Sequence, residues 1–155
     1  MGVFTEPAAY FESVSQVTST NSVEVGTRRR SGDEEYIYVY NAGNSELPPT
    51  YAAVVSAVSG YSVTISSVTS VDFAVGVCKH STLTTGQYGW LMVKGWCQVE
   101  MEADNSAAAG QILALAADGE FALKSNSTGY PTPAIGKTME AIASGGSGTA
   151  FISIY

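Results

Sequence analysis

Alternation of apolar and polar residues at every second position is the pattern that recurs most along this chain. It is clear in residues 61–66 (YSVTIS), in residues 71–78 and in the C-terminal stretch TAFISIY. Residues 36–40 (YIYVY) alternate aromatic with β-branched side chains, a composition typical of β-strands. A period of two places successive side chains on opposite faces of a strand, so these segments predict β-strands.

Turn-forming residues separate these segments. An Asp-Gly pair at 118–119 joins two short apolar runs, and GGSG at 145–148 precedes the last strand. Residues 50–59 are ambiguous, because Pro49 could begin a short helix that ends at Gly60, whereas the valines favour a strand. Many short strands at spacings of about ten residues predict a mainly β protein, a compact antiparallel β-barrel or sandwich.

Both tryptophans fall in the stretch 87–102. One face of the predicted strand carries Tyr88, Trp90, Met92, Lys94 and Trp96, and the other carries Leu91, Val93, Gly95, Cys97, Val99 and Met101. The second set is nearly all apolar, so we expect it to point to the core. The first set mixes aromatic residues with a lysine, which is typical of a wall that faces a neighbour. Trp90 and Trp96 are therefore predicted to lie on an outer wall, as contacts with an arm of the chain or with a second subunit.

The pattern divides the chain at residue 25. Residues 1–25 are polar, with isolated aromatic residues and no persistent period, and they predict an extended N-terminal arm that is ordered only where it lies on something. Phe4, Tyr10 and Phe11 are candidate anchors of this arm on a neighbouring molecule, the alternative being an edge strand with a frayed end. Residues 26–155 contain no domain-length linker and no internal repeat, so they predict one β-rich domain.

Arg28, Arg29 and Arg30 form the only basic cluster, and the acidic residues 33–35 follow the Ser31-Gly32 pair. This order predicts a tight turn with opposite charges facing each other across two strands. The alternative is a contact between molecules, in which the three arginines meet an acidic partner.

The charge of the chain argues against several classes of partner. Its net charge is −7 over 155 residues, whereas nucleic-acid binders normally carry a basic excess, so no direct nucleic-acid binding is predicted. Charged residues make up only 14% of the chain, and a weakly polar surface costs little to desolvate against a partner. No signal peptide is recognisable and no apolar run approaches the ~20 residues of a membrane span, so we expect synthesis in the cytoplasm and no membrane association.

The sequence offers little for catalysis. His80 is the only histidine, so any Ser-His-Asp or Cys-His mechanism must use it, and Cys78 would share its face if the strand continued. A small hydrolase that uses Cys78 and His80 is thus the enzyme alternative. Cys78 and Cys97 are expected to be small buried apolar side chains, with a cross-strand disulfide left open. One histidine and two cysteines give no ligand spacing, so we predict no catalytic residue, no metal and no other cofactor.

The part of the chain from Val71 onward carries a resemblance to a known family. It rests on three segments: FAVGVCKHSTLTTGQYGWLMVKGWCQVEM, AAAGQILALAADGEFA and AIGKTMEAIASGGSGTAFISIY. Each is a pattern of strands and glycine-rich turns. In this part the chain resembles the head-decoration, or cement, proteins of tailed bacteriophages.

The resemblance implies a compact, β-tulip-like body and a non-enzymatic structural virion protein. Such a protein is made in the cytoplasm of the host bacterium, binds the major capsid protein on the outside of the capsid and stabilises the mature shell. Cement proteins match the capsid symmetry as homo-oligomers, so a trimer is expected before a dimer. The alternative function is a module of a phage tail or fibre adhesin that binds a glycan of the host surface.

Overall fold

The computed structural model describes residues 13–56, 61–65, 73–124 and 134–154. Within these ranges the chain forms eleven strands: β1 (Val17–Thr18), β2 (Arg28–Ser31), β3 (Glu34–Asn41), β4 (Ala52–Val55), β5 (Ser62–Ile65), β6 (Ala74–Val77), β7 (Tyr88–Glu100), β8 (Ile112–Leu115), β9 (Phe121–Leu123), β10 (Gly136–Thr138) and β11 (Ser147–Ser153). Helical structure among the described residues is limited to one 3₁₀ turn, Ala117–Gly119. Those residues therefore contain no helix long and apolar enough to cross a membrane.

Five of the strands close into a barrel in the order β3, β5, β4, β6 and β7, with β7 pairing back onto β3. The pairs in this barrel are antiparallel except β3 with β5, which is parallel. Ile37 and Val39 of β3 point into the barrel, where they pack with Val63, Leu91 and Val93. The sequence prediction of a mainly β barrel or sandwich is confirmed, and the parallel pair is an addition to it.

A second layer covers one outer side of the barrel. The strand β7 continues beyond the barrel and pairs with β11, and the order then runs through β10 and β8 to β9. Tyr36 and Tyr38, which alternate with the inward residues of β3, lie fully buried between this layer and the barrel. Phe121, Leu113 and Ile152 from the outer strands complete this second core.

A β-bulge in β7 changes which residues face the core. Tyr36 pairs with Met92 and Glu35 with Lys94, so Val93 is the extra residue of β7. Before the bulge the even-numbered residues Trp90 and Met92 face the second core; after it Cys97, Val99 and Met101 do. A bulge shifts the alternation by one position, and a strict period of two cannot describe β7.

The second layer corrects the sequence prediction for Trp90, because Trp90 precedes the bulge and lies on the outer side of the barrel that this layer covers. Trp90 is only 4% exposed and packs against Tyr38, with ring centroids 5.0 Å apart, so it is not an exposed contact for a second subunit. It lines a small hollow together with Val14 and Val17 of the predicted arm, in keeping with the alternative of a contact with the arm. Trp96 lies beyond the bulge and is 46% exposed, as the prediction of an outward position requires.

The structure also bears on the predictions for residues 50–59, for the Asp-Gly turn and for the N-terminal arm. Residues 52–55 form a strand, which resolves the ambiguity there against a helix for the described part of 50–59. Asp118 and Gly119, both with positive φ, turn the chain from β8 into β9 as the Asp-Gly pair predicts. The described part of the predicted arm lies against the body: Val17 pairs with Gly89, and Val23 is buried.

Candidate interaction surfaces

The two residues of the enzyme alternative do not form a catalytic pair. Cys78 is buried, and its thiol donates to the backbone carbonyl of Ser81 at 3.2 Å. His80 lies at the surface and bonds to Tyr36 instead. Burial raises the pKa of the Cys78 thiol to about 12, so it is protonated at neutral pH and is a poor nucleophile.

The second thiol is equally protected. Cys97 is buried, and burial raises the pKa of its thiol to about 12. The two cysteines are free, so the disulfide that the sequence left open is absent. We expect that neither thiol in the folded protein reacts with iodoacetamide at pH 7.5 over an hour, and that both react fully in 8 M urea. Rapid labelling of Cys78 under native conditions would revive the hydrolase alternative; mass spectrometry of the labelled chain measures this.

His80 belongs to a polar cluster that ties the segment after β6 to β3. The Tyr36 hydroxyl donates to Glu34 Oε2 at 2.5 Å, so it accepts from Nε2 of His80 at 3.1 Å. Lys79 forms an ion pair with Glu34 Oε1. Burial would raise the pKa of Glu34, but the hydrogen bonds from Lys79 and Tyr36, together with the charges of Lys79 and His80, outweigh it and lower that pKa. Burial, together with the charge of Lys79, lowers the pKa of His80 against the opposing charge of Glu34.

Both pKa shifts in this cluster predict that acid destabilises the fold. Below about pH 6.5 the unfolded chain protonates His80 more readily than the folded chain, so stability falls from there downward. The contribution of Glu34 is present above its unfolded pKa and is lost as the pH falls through its lower folded value. We expect the urea midpoint to fall from pH 8 to pH 4, with His80→Gln flattening the upper part of the profile and Glu34→Gln the lower part. Profiles of both variants parallel to that of the parent would contradict this account.

The described residues contain no cluster suited to a metal ion, and they line two hollows of very different size. No group of three or more His, Cys, Asp or Glu side chains within the described ranges could hold a metal ion. One hollow, lined in part by Val14, Cys78 and Trp90, has room for about 10 Å³, the size of one water molecule. A second is an open depression of about 330 Å³ beside Arg28 and Glu35.

The three arginines form strand β2 of a hairpin with β3, as the sequence predicts. Gly32 with φ +63° makes the turn, and Arg30 pairs with Glu35 at 3.0 Å between Nη2 and Oε1. Arg28 and Arg29 lie opposite Ile37 and Tyr36. The ion pair lies at the surface and adds less than about 1 kcal/mol to stability. The hairpin explains the position of the cluster, and a contact with an acidic partner stays a prediction.

Trp96 is the centre of the exposed apolar surface on the second layer. The register places it beside Phe151 of β11, and the two rings meet edge to face with centroids 5.0 Å apart. Phe151 pairs with Lys137 of β10, and Lys137 pairs with Ile112 of β8, which is 49% exposed. The sequence identified Trp96 but missed its neighbours on β8, β10 and β11, since alternation within one strand does not give the register between strands.

The remaining predicted contacts lie in the N-terminal part of the chain. Phe4, Tyr10 and Phe11 fall outside the described residues, so their role as anchors stays a prediction.

The fold and these surfaces define a mainly β protein with a five-stranded barrel, buried thiols and an exposed aromatic face. A solved structure of similar fold is the head fiber gp8.5 N base of bacteriophage phi29. The two share a TM-score of 0.52 and 17% sequence identity, over 76% of this chain and 94% of that chain. At this identity the likeness shows the fold. No protein-family model matches the chain, and a comparison with curated proteins finds no match.

Proposed function

We propose that this chain is a non-enzymatic structural protein of a tailed-phage virion, bound to the outside of the head. The observation that carries the proposal is the fold shared with the head fiber N base of bacteriophage phi29, most of which is covered. The resemblance of the segments after Val71 to head-decoration proteins supports the same location independently of that structure.

The chemistry of the surface supports a binding protein. Both thiols are buried, and the lone histidine is engaged with Tyr36 and not with a nucleophile. The low fraction of charged residues, 14%, leaves a surface that loses little hydration energy on contact with other proteins.

Within this proposal the partner is the major capsid protein, and the effect is stabilisation of the mature shell. Many copies that each span a boundary between capsid subunits add weak contacts, and multivalency turns these into strong retention. The predicted anchors Phe4, Tyr10 and Phe11, the arginine hairpin and Trp96 are proposed contact residues with the shell or with a second copy. The chain is made in the cytoplasm of the host bacterium and ends on the outer capsid surface.

Binding to heads tests this proposal. Purified protein is mixed with phage heads that lack it and sedimented; we expect saturable co-sedimentation and a higher temperature of DNA release from the decorated heads. An unrelated acidic β protein of similar size serves as the control. Absence of saturable binding to mature heads would refute attachment to the shell, and binding without a change in DNA release would refute the stabilising role alone.

A second candidate is an adhesin module of a tail or fibre. The half-exposed Trp96 beside Phe151 favours it, because exposed aromatic rings on a flat sheet stack on the apolar faces of sugars. Adding host cell-wall glycans to the protein and measuring its tryptophan fluorescence discriminates the two functions. A saturable shift that Trp96→Phe weakens would favour the adhesin, and no shift would favour decoration of the head.

A further inference from the structure

Beyond the bulge, every second side chain of β7 lies on the outer face of the sheet that β7 forms with β11. The pairing of the two strands is uninterrupted from Lys94 with Ser153 to Glu100 with Ser147. Cys97 and Val99 point to the second core, so Lys94, Trp96, Gln98 and Glu100 point outward. We call these four residues and their partners on β11 the β7 outer face. It has a basic end, an aromatic centre and an acidic end.

The basic end has an unpaired cation. Lys94 has no ion-pair partner within the described residues. The neighbouring carboxylate across the sheet is Glu35, which is already bound to Arg30. A second lysine, Lys137, flanks Phe151 on β10 and also lacks an ion-pair partner in the described part of the chain.

The acidic end has uncompensated carboxylates. Glu100 accepts a hydrogen bond from the Ser147 hydroxyl at 2.6 Å. Glu102, Asp118 and Glu120 lie nearby, and none of these carboxylates forms an ion pair with a described lysine or arginine. Burial first, and then the charges of Glu102, Asp118 and Glu100, raise the pKa of Glu120, so these carboxylates lie close enough to repel one another.

We propose that the β7 outer face binds the same face of a second copy of this chain across a two-fold axis, with Lys94 of each copy opposite Glu100 of the other. A two-fold contact pairs one patch with itself, so residue i meets j and j meets i. The β7 outer face meets this condition, because turning it by 180° exchanges its basic and acidic ends. The inference goes beyond the proposed function and does not rest on it.

The dimensions of the face fit this arrangement. Lys94 and Glu100 are six residues apart, or about 20 Å along a strand at ~3.3 Å per residue. The two-fold axis then lies between the two sheets and passes near residue 97, halfway between Lys94 and Glu100. In this arrangement Trp96 of one copy packs on Gln98 and Phe151 of the other. Two sheets that pack face to face lie about 10 Å apart, a gap that aromatic side chains fill.

The same dimensions predict a weak dimer. With its continuation onto β10 and β8 the face spans four strands at ~4.8 Å spacing, so it is about 14 Å wide and about 20 Å long. Its area of about 280 Å² is well below the ~800 Å² per partner of standard interfaces. We therefore expect a dissociation constant in the range of about 10 µM to 1 mM in solution, tightened where many copies crowd on one surface. The proposed contact forms a dimer, whereas the resemblance to head-decoration proteins implies a trimer first and a dimer second.

Charge exchange between the two ends tests the proposal. Sedimentation velocity up to about 1 mM protein measures the self-association of the parent, of Lys94→Glu, of Glu100→Lys and of the double variant. Each single variant places like charges opposite each other twice per dimer, and we expect at least about tenfold weaker association. The double variant restores both pairs, so its dimer returns. An equimolar mixture of the two single variants also restores both pairs and forms a mixed dimer.

Matched controls separate this result from general effects of charge. Lys124→Glu and Glu24→Lys make the same changes at exposed residues outside the face and leave the dimer unchanged. Circular dichroism and melting temperature confirm that each variant folds. A parent that stays monomeric, a parent that forms trimers, or single variants that do not recover on mixing would each overturn the two-fold contact. Binding of a host glycan at Trp96 in place of self-association would assign the face to a different occupant.

Discussion

Replacing Trp90 by alanine is expected to lower the free energy of unfolding by about 3–5 kcal/mol. Trp90 is buried between the barrel and the second layer, where it packs against Tyr38. Its indole Nε1 has no hydrogen-bond partner in the part of the chain that the structure describes, so the loss comes from packing and from the cavity left behind. Urea unfolding followed by circular dichroism measures the change.

Trp96→Ala is the matched control for this prediction. Trp96 belongs to the same strand, but it is 46% exposed and its described ring contact is with Phe151. We expect its loss to cost about 1 kcal/mol in the monomer. Equal destabilisation by the two substitutions would contradict the bulge at Val93, because both tryptophans would then lie in equivalent environments.

Replacing Gly76 by valine is expected to destabilise the barrel by about 3 kcal/mol or more, or to prevent folding. A Cβ atom at this position would lie 2.7 Å from Cβ of Leu91 and 3.0 Å from the carbonyl oxygen of Met92, so β6 and β7 would have to separate. Leu91 is part of the barrel interior, and that separation would open the core.

Gly32→Asn is the control for Gly76→Val. Gly32 lies in the β2–β3 turn with φ +63°, and a Cβ atom there meets nothing within 4 Å. Asparagine tolerates this left-handed conformation, so we expect a loss below about 1 kcal/mol. Thermal melts of the two variants measure the contrast. A Gly76→Val protein as stable as the parent would show that β6 and β7 do not approach each other this closely.

Local sequence signals predicted most of the secondary structure. The YIYVY stretch alternates aromatic with β-branched residues, and the strand that this composition predicts is covered on both faces in the structure. Ile37 and Val39 fill the barrel while Tyr36 and Tyr38 fill the second core. The Asp-Gly pair gave the turn between β8 and β9, because positive φ angles favour glycine, asparagine and aspartate. Of the GGSG stretch only Gly145 and Gly146 precede the last strand, since Ser147 and Gly148 already belong to β11.

Features that depend on contacts between strands could not be predicted. The one local signal of the bulge is Gly95, which lies inside β7 with φ +134°, because an isolated glycine within a strand often marks a bulge. The position of the register shift is visible only in the pairing of β7 with β3. The shift puts Trp96 on the opposite face of β7 from Trp90. The parallel pairing of β3 with β5 and the closure of β7 onto β3 are likewise set by the whole barrel.

For the candidate surfaces too, features set by neighbouring residues in the sequence were predictable, and features set by contacts between strands were not. The arginine hairpin was predictable, because its turn and charges are adjacent in sequence. The separation of Cys78 from His80 was not, because β6 ends at Val77 and His80 then turns toward Tyr36. The neighbours of Trp96 come from three other strands, so only the register between strands brings Phe151, Lys137 and Ile112 beside it.

Mass spectrometry of density-purified phage particles tests the central claim most directly, by measuring the copy number of this chain relative to the major capsid protein. If the chain decorates the head, we expect its copy number to be comparable to that of the capsid protein, on the order of hundreds per particle. A few copies per particle would place the chain in the tail or a fibre and contradict decoration of the head. Absence of the chain from the particles would contradict a role in the virion altogether.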